Sequence, residues 1–212
     1  EITCRDWSSD VCSSDLGKME DLKDYKGREQ AYIKHKLLEA YLMRLFMIVG
    51  QFQKTICYVD CFAGPWEETR DDLMDTSIGI SMKIMSECRE ALLRLGKNIQ
   101  FRALYIEKRK RAHAKLKSYL LENSPSGIAA ESFFGDFFEL RTKVLEWCGS
   151  DDFAFFFIDP KGWKNVVEIP TLKPLLQRPK SEFLINFMYD FILRTHTQKE
   201  FEEVMEIGRA HV

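Results

Sequence analysis

Four acidic residues stand at or just after apolar, strand-like runs of the sequence, and they are the strongest candidates for chemistry. Asp60 lies within TICYVDCF, Glu107 and Asp136 follow two further runs, and Asp159 follows FAFFFI. Carboxylates gathered at one edge of a sheet accept several hydrogen bonds and are suited to binding a nucleoside. Acidic residues also favour the first turn of a helix, so Glu107 or Asp136 alone has a purely structural alternative.

Each acidic residue has a role that its chemistry permits in a nucleoside site. Glu107, at the second strand end, can accept hydrogen bonds from both ribose hydroxyls. Gly64, in the turn after the first strand, lets the backbone approach a ligand closely. Asp60 can orient a charged amino-acid group, directly or through water. The phosphate-binding patterns G-x-x-x-x-G-K-[ST] and G-x-G-x-x-G do not occur in the sequence.

The third strand end supplies contacts to a base. Asp136, which follows Gly135, can accept a hydrogen bond from an exocyclic amine. Phe134 or Phe137 can lie beside the ring. This end therefore completes a predicted nucleoside site.

Strands and helices alternate along the chain, and this order predicts the fold. Predicted strands are Thr55–Phe62, Ile99–Ile106, Ile128–Phe134, Phe153–Ile158 and Glu182–Phe187. Predicted helices are about Glu29–Phe52, Ser77–Leu95, Glu107–Leu121, Phe137–Trp147 and Asp190–Met205, with a loop between the last two strands. The alternation indicates an α/β protein with a Rossmann-like, doubly wound, mainly parallel sheet. Its ligand site then lies beyond the carboxyl ends of the strands.

Both ends of the chain resemble translated sequencing adapter. EIGRAHV at the carboxyl end is encoded by a string containing AGATCGGAAGAGCACACGTC, and its reverse complement translates to DVCSSDL, which stands at residues 10–16. We therefore expect residues 1–16 and 206–212 to be artefact. We then expect residues 17–205 to form one α/β domain with a leading helix at 29–52, cut before its sheet is complete.

Composition excludes several classes of protein. The chain of 212 residues has a net charge of -2, which becomes +1 for residues 17–205, so no global cationic surface is present. No apolar run approaches the roughly 18 residues of a membrane span. The cysteines of residues 17–205 form no C-x-x-C pair and are predicted to be reduced thiols, which favours a cytoplasmic protein.

Several stretches together resemble the three-Cys-motif partner protein (TcmP) family, whose members are similar to class I S-adenosylmethionine (SAM)-dependent methyltransferases. The matching stretches are Lys34-His35-xx-Leu38-Glu39-Ala40-Tyr41-Leu42, Tyr58-Val59-Asp60-Cys61-Phe62-Ala63-Gly64-Pro65, Ile106-Glu107-Lys108, Gly135-Asp136, Phe156-Phe157-Ile158-Asp159-Pro160-Lys161-Gly162 and Leu184-Ile185-Asn186-Phe187. The two turns Asp-x-Phe-Ala-Gly-Pro and Asp-Pro-x-Gly, taken together, are fairly specific.

The resemblance implies a Rossmann-like fold, a SAM pocket and a partner protein bearing a three-cysteine motif. The implied cofactor-binding residues are Asp60, Phe62, Ala63, Gly64, Pro65, Glu107, Gly135 and Asp136. The chain departs from the family pattern at Trp66, where glycine is expected, and at Thr76-Ser77-Ile78, where Gly-Ser-Pro is expected.

The fourth strand end resembles the Asp-Pro-Pro-aromatic turn of amino-methylating enzymes. It reads Asp159-Pro160-Lys161-Gly162-Trp163. In that interpretation Asp159 and a backbone carbonyl of the turn accept hydrogen bonds from the target amine or amide, and Trp163 stacks on it. The implied catalytic residues are Asp159, Pro160 and Trp163. The alternative is that Asp159 caps a turn and Trp163 covers the core.

A basic run suggests a second type of partner. Lys108, Arg109, Lys110 and Arg111 open a predicted helix and could contact nucleic-acid phosphates, although a solvated helix face is the simpler explanation. The histidines have no metal-ligand spacing, so no metal site is predicted.

Two functional hypotheses follow from the sequence. The first is a SAM-dependent methyltransferase acting on an amine or amide of nucleic acid or protein. The second is a non-catalytic partner of a three-cysteine, radical-SAM-like protein that retains a degenerate nucleotide pocket, which Trp66 favours.

Overall fold

A parallel β-sheet forms the centre of the molecule in a computed structural model, which describes residues 29–64, 76–160 and 169–186. Its strands are β1 (Thr55–Asp60), β2 (Gln100–Glu107), β3 (Ile128–Phe134), β4 (Phe153–Ile158) and β5 (Ser181–Ile185). They lie in the order β3-β2-β1-β4-β5, and every neighbouring pair is parallel. The predicted α/β, Rossmann-like fold is confirmed, with each strand boundary within two residues of its prediction.

Helices connect the strands and cover both faces of the sheet. They are α1 (Glu29–Val49), α2 (Ser77–Arg94), α3 (Lys110–Asn123), α4 (Phe137–Cys148) and α5 (Ile169–Leu176). The predicted loop between the last two strands was wrong in part, because it contains α5. The predicted helix Asp190–Met205 lies outside the described residues.

Strand periodicity divides the core into two layers. Tyr58 and Phe155 point to the face covered by α1, α2 and α3, where Leu42 and Phe46 of α1 are fully buried. Val59 and Phe156 point to the opposite face, which α4 and α5 cover. Because β1 and β4 are buried on both faces, they read as continuous apolar runs in the sequence.

The cysteines within the described residues are buried and unpaired. Cys57, Cys61 and Cys148 lie in the layer beneath α4, and Cys88 lies in the layer beneath α1. The prediction of free rather than disulfide-bonded thiols is confirmed for these residues.

The order of the strands fixes where a ligand can enter. The chain leaves β1 towards β2 and β3 on one side, and it returns through β4 and β5 on the other. The connections therefore diverge between β1 and β4, which makes the carboxyl ends of these two strands the switch point of the sheet.

Candidate functional site

The carboxyl edge of the sheet brings together the four acidic residues singled out in the sequence. Asp60 and Glu107 are the last residues of β1 and β2, Asp159 follows β4, and Asp136 precedes α4. Asp60 is fully buried and Glu107 is 6% exposed, so these two carboxylates lie beneath the surface of the edge.

Asp60 joins the end of β1 to the start of α2. Its Oδ1 accepts a hydrogen bond from the Phe62 backbone N–H at 3.1 Å, and its Oδ2 accepts one from the Ser77 hydroxyl at 2.6 Å. Burial raises the pKa of Asp60 to about 7; the hydrogen bonds from Ser77 and Phe62 oppose this rise, and the negative charges of Asp159 and Glu107 add to it. Asp60 therefore holds or releases a proton near neutral pH.

The turn after β1 packs directly on Glu107. The Ala63 N–H donates to the Ile106 carbonyl at 2.9 Å, which holds the turn against the end of β2. A Cβ on Gly64 would overlap Oε2 of Glu107. A side chain at this position would displace the Glu107 carboxylate, so glycine here permits the close approach of the backbone to that carboxylate. Pro65 and Trp66 lie outside the described residues.

Glu107 is oriented by the residue that caps the next helix. Its Oε1 accepts hydrogen bonds from the backbone N–H of Arg109 at 2.7 Å and from Nε of Arg109 at 3.4 Å. The carboxylate is therefore fixed at the edge of the sheet, in the position expected for a ribose ligand.

Asp136 is the N-cap of α4. Its Oδ1 accepts a hydrogen bond from the Phe138 N–H at 3.0 Å, and Lys108 Nζ lies 3.9 Å from its Oδ2. Gly135 makes the bend before it with a φ of 145°, where a side chain would be strained. Asp136 therefore has the helix-capping role that the sequence offered as its structural alternative. Its second oxygen, Oδ2, faces Lys108.

The aromatic rings around this edge lie on different faces. Phe137 is 2% exposed and belongs to the core, whereas Phe134 is 53% exposed and its ring lies 5.5 Å from that of His113 on α3. Phe62 and Phe138 are half-buried, with ring centroids 6.1 Å apart. Phe137 contacts both of these rings at the start of α4, and of the three only Phe62 and Phe138 are partly exposed.

Asp159 is held by two residues that lie in stretches resembling the TcmP family but were not predicted as site residues. Lys34 Nζ of α1 lies 2.5 Å from its Oδ2, and Asn186 Nδ2 donates to its Oδ1 at 2.6 Å. Pro160 is buried beside it. Trp163, the third predicted catalytic residue, lies outside the described residues. The cluster unites α1 with the ends of β4 and β5.

Sequence signals existed for some of the residues that were missed. Asn186 directly follows β5, so the strand-end rule used for the acidic residues applies to it too. Ser77 opens α2 after the N-cap Thr76. Lys34 lies neither at a strand end nor at a helix start, and its distance to Asp159 depends on how α1 packs against the sheet.

A depression of about 540 Å³ lies at the other end of the sheet. Lys54 precedes β1, Gln100 opens β2, and Arg89 packs on Gly127 before β3. It contains none of the acidic residues described above and is separate from the candidate site.

The described residues hold no group of three or more His, Cys, Asp or Glu side chains that could bind a metal ion. In the same part of the chain, no helix is both long and apolar enough to cross a membrane. Comparisons with protein-family models, with curated proteins and with solved structures found no match to this chain.

Proposed function

We propose that this chain is a SAM-binding, methyltransferase-like domain of the TcmP type. The observation that carries the proposal is the gathering of Asp60, Glu107, Asp136 and Asp159 at the carboxyl edge of a parallel sheet, on either side of its switch point. A nucleoside bearing an amino-acid group offers a ribose, an exocyclic amine and an ammonium to these carboxylates.

In this proposal each carboxylate accepts hydrogen bonds from one part of SAM. Glu107 would accept from the ribose hydroxyls beside the Gly64 turn, and Asp60 would face the amino-acid end. Asp136 would accept from the adenine amine. We assign the ring contacts to Phe62 and Phe138, because Phe137 is buried in the core and Phe134 packs on α3.

The chain's contribution to methyl transfer is mainly positioning. When bound, SAM supplies an electrophilic methyl group on its sulfonium. Asp159, anchored by Lys34 and Asn186, would accept a hydrogen bond from an amine or amide of nucleic acid or protein. Alignment of the two reacting groups contributes more to the rate of such a reaction than acid–base catalysis does, because little proton transfer is needed.

Isothermal titration calorimetry with SAM tests this proposal. Glu107→Gln keeps the shape of the side chain and its acceptor for Arg109 but removes the charge, so we expect about tenfold weaker binding, equivalent to about 1.4 kcal/mol. Glu122→Gln, at an exposed position on α3, is the matched control and is expected to bind like wild type. Equal affinities for the Glu107 variant and the control would contradict the assignment.

A second candidate function is a non-catalytic partner of a three-cysteine, radical-SAM-like protein. It is favoured by the environment of Asp159, since both of its oxygens already have partners within the chain. Absence of SAM binding by the chain, combined with co-purification of the three-cysteine protein, would favour this candidate. Both candidates place the protein in the cytoplasm, in keeping with its free thiols.

A further inference from the structure

The exposed face of α3 carries a cluster of cations that have no counter-charge among the described residues. We call it the basic face, and its members are Lys110, Arg111, Lys115 and Lys117. None of them has an ion-pair partner among the described residues, and no acidic residue occurs between positions 108 and 117. Lys108 and Arg109 differ, because they face Asp136 and Glu107.

The position of these cations is unfavourable for the helix itself. α3 begins at Lys110 with no acidic residue in its first turn and no side-chain cap from Arg109. Positive charges in the first turn of a helix oppose its dipole, and Lys110 and Arg111 lie in that turn. An anion bound beside these two cations would offset this unfavourable interaction with the helix dipole.

The geometry of α3 makes the cations one continuous surface. At about 100° per residue the four side chains fall within an arc of about 160°, opposite the buried Ala112, Leu116 and Leu120. Lys110 and Lys117 are separated by roughly 10 Å along the axis. The surface can therefore contact more than one phosphate of a chain.

An exposed aromatic ring borders the basic face. Phe134, at the end of the edge strand β3, is 53% exposed. Its ring lies 5.5 Å from that of His113, whose Nε2 is 3.1 Å from the Ser132 hydroxyl. Cations that follow a backbone, next to a ring on which bases stack, are typical of surfaces that bind single-stranded nucleic acid.

We propose that the basic face and Phe134 bind single-stranded nucleic acid. α3 begins three residues after Glu107, so a strand on this face passes beside the carboxyl edge of the sheet. Single-stranded nucleic acid would then be the methyl acceptor in the proposed reaction, and this assignment rests on the proposed function. Strand binding itself is independent of SAM.

Fluorescence anisotropy with labelled oligonucleotides tests the proposal without cofactor. The probes are one mixed sequence as single-stranded RNA, single-stranded DNA and duplex DNA. The test variant replaces all four residues of the basic face with Gln. The control replaces four exposed cations elsewhere with Gln, namely Arg44, Lys54, Lys97 and Lys173.

We expect the basic-face variant to bind single strands on the order of 10- to 100-fold more weakly, with a salt slope smaller by about 3. The control variant is expected to lose much less affinity, although it loses the same charge. Phe134→Ala is expected to weaken single-strand binding about tenfold and to leave duplex binding unchanged.

Three results would overturn the proposal: equal losses in the two charge variants, an unchanged affinity in Phe134→Ala, or duplex binding as tight as single-strand binding. Since no SAM is present, each of these leaves the proposed function standing. Absence of SAM binding in calorimetry would instead overturn the proposed function and leave strand binding in place.

Discussion

The ammonium of Lys34 lies 2.5 Å from the carboxylate of Asp159, and this contact ties the leading helix to the switch point of the sheet. Asn186 holds the other carboxylate oxygen at 2.6 Å. The end of β4 is therefore fixed from α1 on one side and from the end of β5 on the other. α1 is accordingly part of the candidate site, in addition to covering the core.

A double-mutant cycle measures the energy of this contact. We expect a coupling energy of about 1 kcal/mol between Lys34→Met and Asp159→Asn, measured by urea unfolding. Both side chains are only partly exposed, and the distance between Nζ and Oδ2 is short. The exposed pair Arg94 and Glu90, treated in the same way, is expected to couple by about 0.3 kcal/mol. Additive effects of the Lys34 and Asp159 changes would show that the contact does not form in solution.

Asp60 is expected to make stability depend on pH. Its pKa is raised to about 7 in the folded chain from 3.8, so its favourable contribution is complete below about pH 4 and is lost as the pH rises to about 7. Asp60→Asn cannot ionise. The free energy of unfolding of the variant is therefore expected to rise relative to wild type by up to about 1.4 kcal/mol per pH unit across this range.

Urea unfolding of wild type and Asp60→Asn across the pH range checks this expectation. Asp151→Asn, at an exposed position, is the control for removing one carboxylate charge. A pH-independent difference for Asp60→Asn would mean that the pKa of Asp60 is not raised.

Gly64→Ala separates ligand binding from stability. The added methyl group would meet the end of the Glu107 side chain, which can move, so we expect a small change in Tm. Displacement of the Glu107 carboxylate is nevertheless expected to weaken SAM binding about tenfold. Calorimetry together with a thermal melt measures both quantities. A large loss of Tm with unchanged affinity would assign Gly64 a purely structural role.

Among the surface cations, Arg178 is expected to contribute most to the free energy of unfolding. Its guanidinium donates to the carbonyls of Gly149, Asp152 and Cys148, and so joins the end of α4 to the loops before β4 and β5. Arg178→Ala leaves these acceptors without their donor and is expected to cost about 2–3 kcal/mol in urea unfolding. Arg94→Ala is the exposed control, and equal costs for the two variants would contradict this role.

The sequence predicts the parts of this fold that local pattern determines. Val59 and Phe156 lie in strands buried on both faces, so their runs are easy to recognise. α5 is hard to recognise from the sequence, because it is short and contains Pro170 and Pro174. Pro170 lies in the first turn, where no intrahelical N–H bond is made, and the helix ends soon after Pro174.

Long-range contacts explain most of what the sequence could not show. The carboxyl-edge position of Asp60 and Glu107 follows from strand ends alone. The approach of Lys34 to Asp159 depends instead on how α1 packs against the sheet, which no local pattern encodes. The capping role of Asp136 was foreseen only as an alternative to ligand binding.

Hydrogen–deuterium exchange with and without SAM shows whether SAM binds at the carboxyl edge of the sheet. The proposed site predicts slower exchange on adding SAM in three segments, residues 60–64, 107–109 and 134–138, which meet at the carboxyl edge of the sheet. It predicts no change around Lys54, Arg89 and Asn98 at the opposite end. Unchanged exchange throughout, or protection confined to that opposite end, would contradict a SAM site at the carboxyl edge.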